Sequence, residues 1–446
     1  MEKQDDKKKQ KKGEEAPAKA HKPSWQEKYA TPEEIQQMLD SRVMLRYNEV
    51  RGRTEIHYLT AGPVIRADEQ GLLTIFGGED GVTDGYRNLD DRDVNTLWRM
   101  LCREKPVVKQ HLLNVIESDY VPEYNPFRFY LDRLPPWNED KGDYIMELSL
   151  SVNVRGDSDE QILFYQYLKK WLVAMVAGWL DADVVNNVIL VLIGEQGSYK
   201  TTWFSHLLPP ELRQFFRIKT NASRMTKDDL LALTQYGLMC CEELDTMRPA
   251  ELNELKSAVT MPSVDERRPY GRYHEHRAHL ASFCGTGNNV QFLSDATGNR
   301  RWLPFEVESI TSPREQPFCY EGIYGQAYRL YRDGFQYWFS QAEIQRLNRH
   351  NEQFEVPKKE QELVDAFFYP PEVPGQGKFM PVTMAMQLFR GYTSQPLDDA
   401  KVGLAFRKMG FQPKRTKFSR GYIVMQRTPA EIETRMKSLA QVTGDG

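Results

Sequence analysis

The sequence predicts an α/β protein: a core of the P-loop type, with a small α+β domain ahead of it and a winged helix behind it. Three observations predict this. A β-branched, continuously apolar run, NVILVLIG, leads directly into a glycine-bearing stretch, GEQGSYKTTW at 194–203, and TTWFSHLL then continues as a helix. A second apolar strand, YGLMCC, ends in Glu242 and Glu243. Towards the C-terminus two helical segments precede a hairpin, KRTKFSRGYIVMQ.

Taken in order, residues 1–29 form a Lys-rich tail expected to be disordered and solvated, without the apolar segment of a signal peptide. Residues 30–138 read as a small α+β domain: VMLRYNEV and TEIHYLT flank a glycine turn, helical periodicity follows, and the proline-rich VPEYNPFRFYLDRLPPW marks a joint. Residues 139–340 carry the nucleotide core, 341–378 a helical linker, 379–428 the winged helix and 429–446 a C-terminal helix or tail. The apolar WLVAMVAGWL at 171–180 is too short to cross a bilayer and reads as a buried helix.

Composition narrows the class. The hydrophobic fraction of 40% and charged fraction of 27% are those of an ordinary soluble globular protein. Five cysteines, odd in number and without a C-x-x-C pair, point away from a disulfide framework or zinc ribbon and toward a cytoplasmic setting. The net charge of −4 decides nothing, but Lys401 to Arg427 holds eight Lys or Arg and no Asp or Glu, the footprint of a nucleic-acid-binding face.

In the loop, clustered phosphate charge is held by backbone N–H groups feeding a helix N-terminus. Gly194 and Gly197 let the chain curl, with Ser198, Tyr199 and Thr202 completing the cradle. Lys200 is spaced to reach the β- and γ-phosphates of ATP, and the Thr201 hydroxyl to ligate Mg²⁺. Tyr199 stands where the usual pattern has glycine. That is tolerable if the backbone there is not left-handed, or if the side chain points outward.

Glu242 is assigned to the metal side and Glu243 to orienting the attacking water, with Asp245 in reserve; alternatively the two glutamates begin a solvated helix. The strand HLASFCGT ends near Asn288, placed to sense the γ-phosphate, unless it is only a turn residue. Between these strands DERRPYGRYHEHR offers Arg268, Tyr270, Arg272 and Tyr273 for phosphate contact and base stacking, or an exposed hairpin held by ion pairs. Arg300 and Arg301 in DATGNRRW are candidate transition-state cations, acting in their own subunit or across a boundary.

The run from about Asn125 to Pro304 resembles the virulence-associated E (VapE) family of phage and mobile-element P-loop proteins, similar in turn to superfamily 3 helicases. The resemblance rests on NPFRFYLDRL, GEQGSYKTTW, EELDTM, the lysine of ELKSAVT, DERRPYGRY, GTGNN and FLSDATGNRRW together. LRYNEVRGRTEI is similar to the family's N-terminal region, and the basic C-terminal module resembles one appended to Bacteroidetes members. It implies an AAA-like ATPase working as a homo-oligomeric ring, six subunits being the candidate number. Single-stranded DNA would lie in the ring and duplex at the winged helix. Lys200, Thr201, Glu242, Glu243 and Asn288 carry over, as do Arg300 and Arg301 as fingers and, more loosely, Lys256, Arg268 and Arg272 as DNA-facing or intersubunit groups. A primase would be a separate protein.

Duplex contacts are expected from Lys401, Arg407 and Lys408 on the second helix and Lys414, Arg415, Lys417 and Arg420 on the wing. The expected activity is an ATP-dependent DNA helicase or translocase of a mobile element. The alternatives are a DNA-binding initiator or regulator, in which ATP drives assembly without unwinding, and a P-loop phosphotransferase.

Overall fold

The computed structural model describes residues 28–59, 85–219, 225–266, 275–294, 299–356, 359–373, 375–393, 396–416 and 419–444, and the backbone of 64–67 and 73–76. The Lys-rich tail lies outside the described residues.

The molecule is mixed α/β with several sheets. In the N-terminal region β1 (Val43–Asn48) pairs antiparallel with β2 (Arg53–Tyr58), while β3 (Val64–Ala67) and β4 (Leu73–Phe76) form a separate two-stranded sheet. The short β5 (Arg87–Asn88) and β6 (Glu123–Tyr124) complete the order β5-β2-β1-β6. Helices Pro32–Asp40, Asp91–Leu101 and Lys109–Ile116 cover it, burying Ile35, Leu39, Leu97 and Leu112. Capping boxes at Thr31 and Asp90 begin the first two helices.

The central sheet has the order β7-β14-β8-β13-β10-β9. Its strands are β7 (Val152–Val154), β8 (Ile189–Ile193), β9 (Phe216–Lys219), β10 (Leu238–Cys241), β13 (Ser282–Gly287) and β14 (Trp302–Ile310). All pairs are parallel except β7 with β14. The hairpin β11 (Ser263–Glu266) and β12 (Glu275–Ala278) stands apart from the sheet.

Both faces of this sheet are covered, which is why β8 is apolar at every position. Leu190 and Leu192 join one core with helix Ser158–Leu180 and with Trp203 and Phe204. Ile189, Val191 and Ile193 join the other with Leu252, Leu255 and Val259 of helix Pro249–Val259. The segment 171–180 is the buried end of helix Ser158–Leu180, whose indoles are satisfied: Trp171 Nε1 donates to Phe283 O at 3.0 Å and Trp179 Nε1 to Gly237 O at 3.1 Å. Cys240, Cys241 and Cys284 are buried within the sheet. Among the described residues, no helix is long and apolar enough to cross a membrane.

Helix Gln341–Asn351, which the sequence assigns to a linker, lies against the core. Its buried Asn351 donates Nδ2 to Asn299 O at 2.7 Å and to Trp302 O at 3.0 Å. The last module draws its own core from helix Lys359–Phe367 onward, through Val402, Phe406 and Tyr422. Helices Val382–Phe389 and Asp399–Lys408 precede β17 (Pro413–Arg415) and β18 (Arg420–Gln426), with β15 (Phe368–Tyr369) and β16 (Lys378–Pro381) also paired to β18.

Candidate functional site

The glycine-bearing loop leaves the carboxyl end of β8 and enters helix Lys200–Leu207. Gly194 is required there because a Cβ would stand 2.8 Å from Val307 O of β14, while its own N–H donates to Gly287 O at 3.2 Å. Gly197 takes φ +85°. Tyr199 takes φ 63° and ψ 12°, so the first condition under which tyrosine would be tolerable fails. The second holds, since the side chain is 48% exposed. A left-handed tyrosine costs about 1–2 kcal/mol, which the surrounding loop must impose.

Lys200 is 7% exposed and its ammonium is turned into the loop. Nζ donates to Gly194 O and Glu195 O, both at 2.7 Å, to Ser198 Oγ at 3.2 Å and to Asn288 Oδ1 at 3.4 Å. Burial lowers its pKa, and the charge of Asp245 opposes that shift. Ser198 Oγ in turn donates to Glu195 O at 2.8 Å, and Thr202 O accepts from His206 Nδ1 and Ser205 Oγ in the helix.

Beyond β10, Glu242 reaches the same place from the other side. Thr201 Oγ1 donates to Glu242 Oε1 at 2.9 Å, joining residues forty-one apart in sequence. A hydroxyl and a carboxylate are hard oxygen donors, and Mg²⁺ uses one or two such groups with phosphate oxygens and waters, so the pair fits that ion. Among the described residues no cluster of three or more His, Cys, Asp or Glu exists that would hold a metal by itself. Glu243 is exposed, its carboxylate makes no hydrogen bond or ion pair among the described residues, and it takes φ 54°. Tyr199 and Glu243 are the only non-glycine residues at positive φ among the described residues, and both flank this site.

Three further residues steady the acidic strand. Glu242 N donates to Lys219 O at 3.3 Å, and Lys219 is paired with Asp229 at 2.9 Å, both side chains buried. Burial pushes the Asp229 carboxyl up, but hydrogen bonds from Lys219 and Thr226 outweigh it and hold the carboxyl below its ordinary range. In the sequence this pair is marked only by a lysine ending the apolar-flanked strand FRIK.

Arg300 and Arg301 stand elsewhere. They lie on a turn just before β14, which pairs in parallel with β8 so that Trp302 is level with Ile189 and Glu306 with Ile193. Arg301 is therefore six strand positions from the level of Gly194, roughly 20 Å at the rise of a strand. Neither arginine makes a hydrogen bond or ion pair among the described residues, and Arg300 is exposed. The turn that carries them is thus set at the other end of the sheet from the loop of the same chain.

Arg268, Tyr270, Arg272 and Tyr273 fall outside the described residues. The base of their hairpin is anchored, with Arg277 Nη2 donating to Glu49 O at 2.7 Å and Val50 O at 2.8 Å. Lys256 is 5% exposed, which corrects its assignment to a DNA-facing surface. In the last module Lys401, Arg407, Lys414, Arg415 and Arg420 are exposed. Lys408 pairs with Glu355 of the core at 2.7 Å, so its charge is already engaged, and Lys417 lies outside the described residues.

Residues 144–356, just under half of the chain, match the family described as Virulence-associated protein E-like domain, which supports the VapE-like resemblance for that segment. No curated protein matches. Among solved structures, the apo NrS-1 C terminal region (305–718) is similar at 11% identity and TM-score 0.42, covering 89% of this chain and 100% of that one. A second form of that region is similar at 12% identity and TM-score 0.41, covering 88% and 99%. At those scores the likeness carries no argument.

Proposed function

We propose that the chain is an ATPase that binds ATP with Mg²⁺ at residues 194–202 and couples hydrolysis to DNA as a helicase or translocase of a phage or other mobile element, acting in its replication. The observation that carries this reading is the Thr201–Glu242 hydrogen bond of 2.9 Å beside the buried Lys200, at the carboxyl ends of β8 and β10, two parallel strands that flank β13. Thr201 and Glu242 would hold Mg²⁺, which when bound would supply positive charge against the charge developing on the phosphates. Lys200 exchanges its loop carbonyls for phosphate oxygens, the loop N–H groups hold the phosphates, and Asn288 reads the γ-phosphate. The sheet order β7-β14-β8-β13-β10-β9 supports an AAA-like core.

Arg300 and Arg301, at the opposite end of the sheet, suit a neighbouring subunit's nucleotide, which favours a homo-oligomeric ring with six subunits as the candidate number. The hairpin between β11 and β12 would carry Arg268, Tyr270, Arg272 and Tyr273 to single-stranded DNA. The last module is read as a winged helix meeting duplex through Lys401, Arg407, Lys414, Arg415, Lys417 and Arg420, with Lys408 instead fixing the module to the core. The setting is cytoplasmic, and priming falls to a separate protein.

A second reading, a DNA-binding initiator in which ATP drives assembly without unwinding, is favoured by the strained Tyr199. A forked duplex decides between them. Strand separation with ATP and Mg²⁺, absent with a non-hydrolysable analogue, supports the motor; ATP-dependent oligomers that bind the fork without opening it support the initiator.

A further inference from the structure

The chain does an unusual thing after β10. Glu243 turns left-handed, and residues Leu244–Thr246 fold back along the end of β13, with Thr246 N donating to Glu243 O at 2.9 Å. The strand β13 is cut to receive them. Gly285 and Gly287 share one of its faces; a Cβ on the first would collide with Leu244 Cδ1, and one on the second would stand 3.1 Å from Asp245 Oδ1. Leu244, 1% exposed, is the anchor of the turn.

The turn delivers Asp245 to the corner formed by the β13 tip and Lys200. One of its oxygens, Oδ2, accepts from Asn289 N at 3.0 Å. The other, Oδ1, is shielded from solvent and has no hydrogen-bond partner. Its charge acts on the Lys200 ammonium, which itself lies 3.4 Å from Asn288 Oδ1. An unpartnered, buried carboxylate oxygen is costly, and the strain at Glu243 adds to that cost. Glu243 spends its own side chain on solvent.

We propose that Asp245, not Glu243, is the carboxylate that activates the attacking water. This rests on the nucleotide reading above and deepens it. Asn289 N fixes the orientation of the group, and Oδ1 is left to accept a proton. As the water oxygen bonds to the γ-phosphorus, the bond from that phosphorus to the β–γ bridging oxygen breaks. Its electron pair leaves with ADP, the water's proton passes to Oδ1, and inorganic phosphate is released. Glu242 stays on the metal side with Thr201, and Glu243 supplies the left-handed bend that sets Asp245 in place.

The test compares the full-length chain with Asp245→Asn and Glu243→Gln. Fluorescent ATP-analogue binding is measured with Mg²⁺, and phosphate release is followed through kcat and KM. Asp245→Asn keeps the shape and the contact to Asn289 N, so it is expected to lower kcat roughly a hundredfold or more with KM and analogue binding little changed. Glu243→Gln, which alters an exposed side chain, is expected to lower kcat far less than Asp245→Asn does. The proposal is overturned if Glu243→Gln loses kcat while Asp245→Asn keeps it. It is also overturned if Asp245→Asn loses analogue binding in step with turnover while retaining the intact chain's circular dichroism, because Asp245 would then serve only as a counter-ion to Lys200. Failure of the intact chain to bind the analogue is a separate result that removes the nucleotide reading itself.

Discussion

The two ends of the central sheet differ in kind. The carboxyl end brings Lys200 to Asn288 and to the charge of Asp245, and beside them Thr201 to Glu242. The amino end presents Arg300 and Arg301 on a turn held by Asn299, whose Nδ2 donates to Glu355 at 2.9 Å, with neither guanidinium paired among the described residues. At one end the lysine is held by the carbonyls of its own loop. At the other, two arginines stand without a partner among the described residues. Parallel pairing of β14 with β8 keeps them a strand's length apart, and on the proposed reading they complement each other between subunits.

The largest effect tests that separation. Arg300→Ala combined with Arg301→Ala should lower phosphate release roughly a thousandfold. Mixing this protein with Lys200→Ala, itself inactive, should restore part of the activity, because one mixed boundary then carries an intact loop and intact arginines. If mixing restores nothing while both proteins still co-assemble, the arginines act within their own subunit and the comparison breaks.

How far this was legible in the sequence follows the same division. The loop was legible because ILVLI is apolar at every position and runs straight into spaced glycines, a lysine and a threonine. Glu242 was legible because it ends an apolar strand. The position of the arginines was not, since β14 is interrupted by Pro304, Glu306 and Glu308 and does not read as a strand, although it is the element that sets them apart from Lys200. The place of Asp245 was hidden too: it depends on a left-handed glutamate, a conformation that no propensity assigns to that residue. Helix Gln341–Asn351 reads as a linker because, Leu347 apart, its anchors to the core, His350 and Asn351, are polar.

A second effect sharpens the account of the carboxyl end. Asp229→Ala leaves Lys219 without its closest partner in a buried setting, and should destabilise the core by about 3 kcal/mol, read as an earlier urea transition. An unchanged transition would mean that the pair does not hold the acidic strand.

Salt should separate buried from exposed groups. ATP binding at the buried Lys200 should vary little with salt, whereas duplex binding through four of the exposed basic groups of the last module should fall with a log-log slope of roughly −3.6. A flat response for duplex would remove that module from the DNA account.

The smallest effect concerns Tyr199. Tyr199→Gly removes a side chain from a left-handed position and should stabilise the core by about 1 kcal/mol, read as a rise of about 2–4 °C in its thermal midpoint. A fall would mean that the exposed ring makes a contact worth more than the strain.

The most direct test of the central claim, that the carboxyl end of the sheet is a working nucleotide site coupled to DNA, is phosphate release from ATP with Mg²⁺, with and without single-stranded DNA, for the intact chain and for Lys200→Ala. The account predicts release that rises with DNA and is abolished by the substitution. Release unaffected by Lys200→Ala, or no binding of ATP by the intact chain, would contradict it.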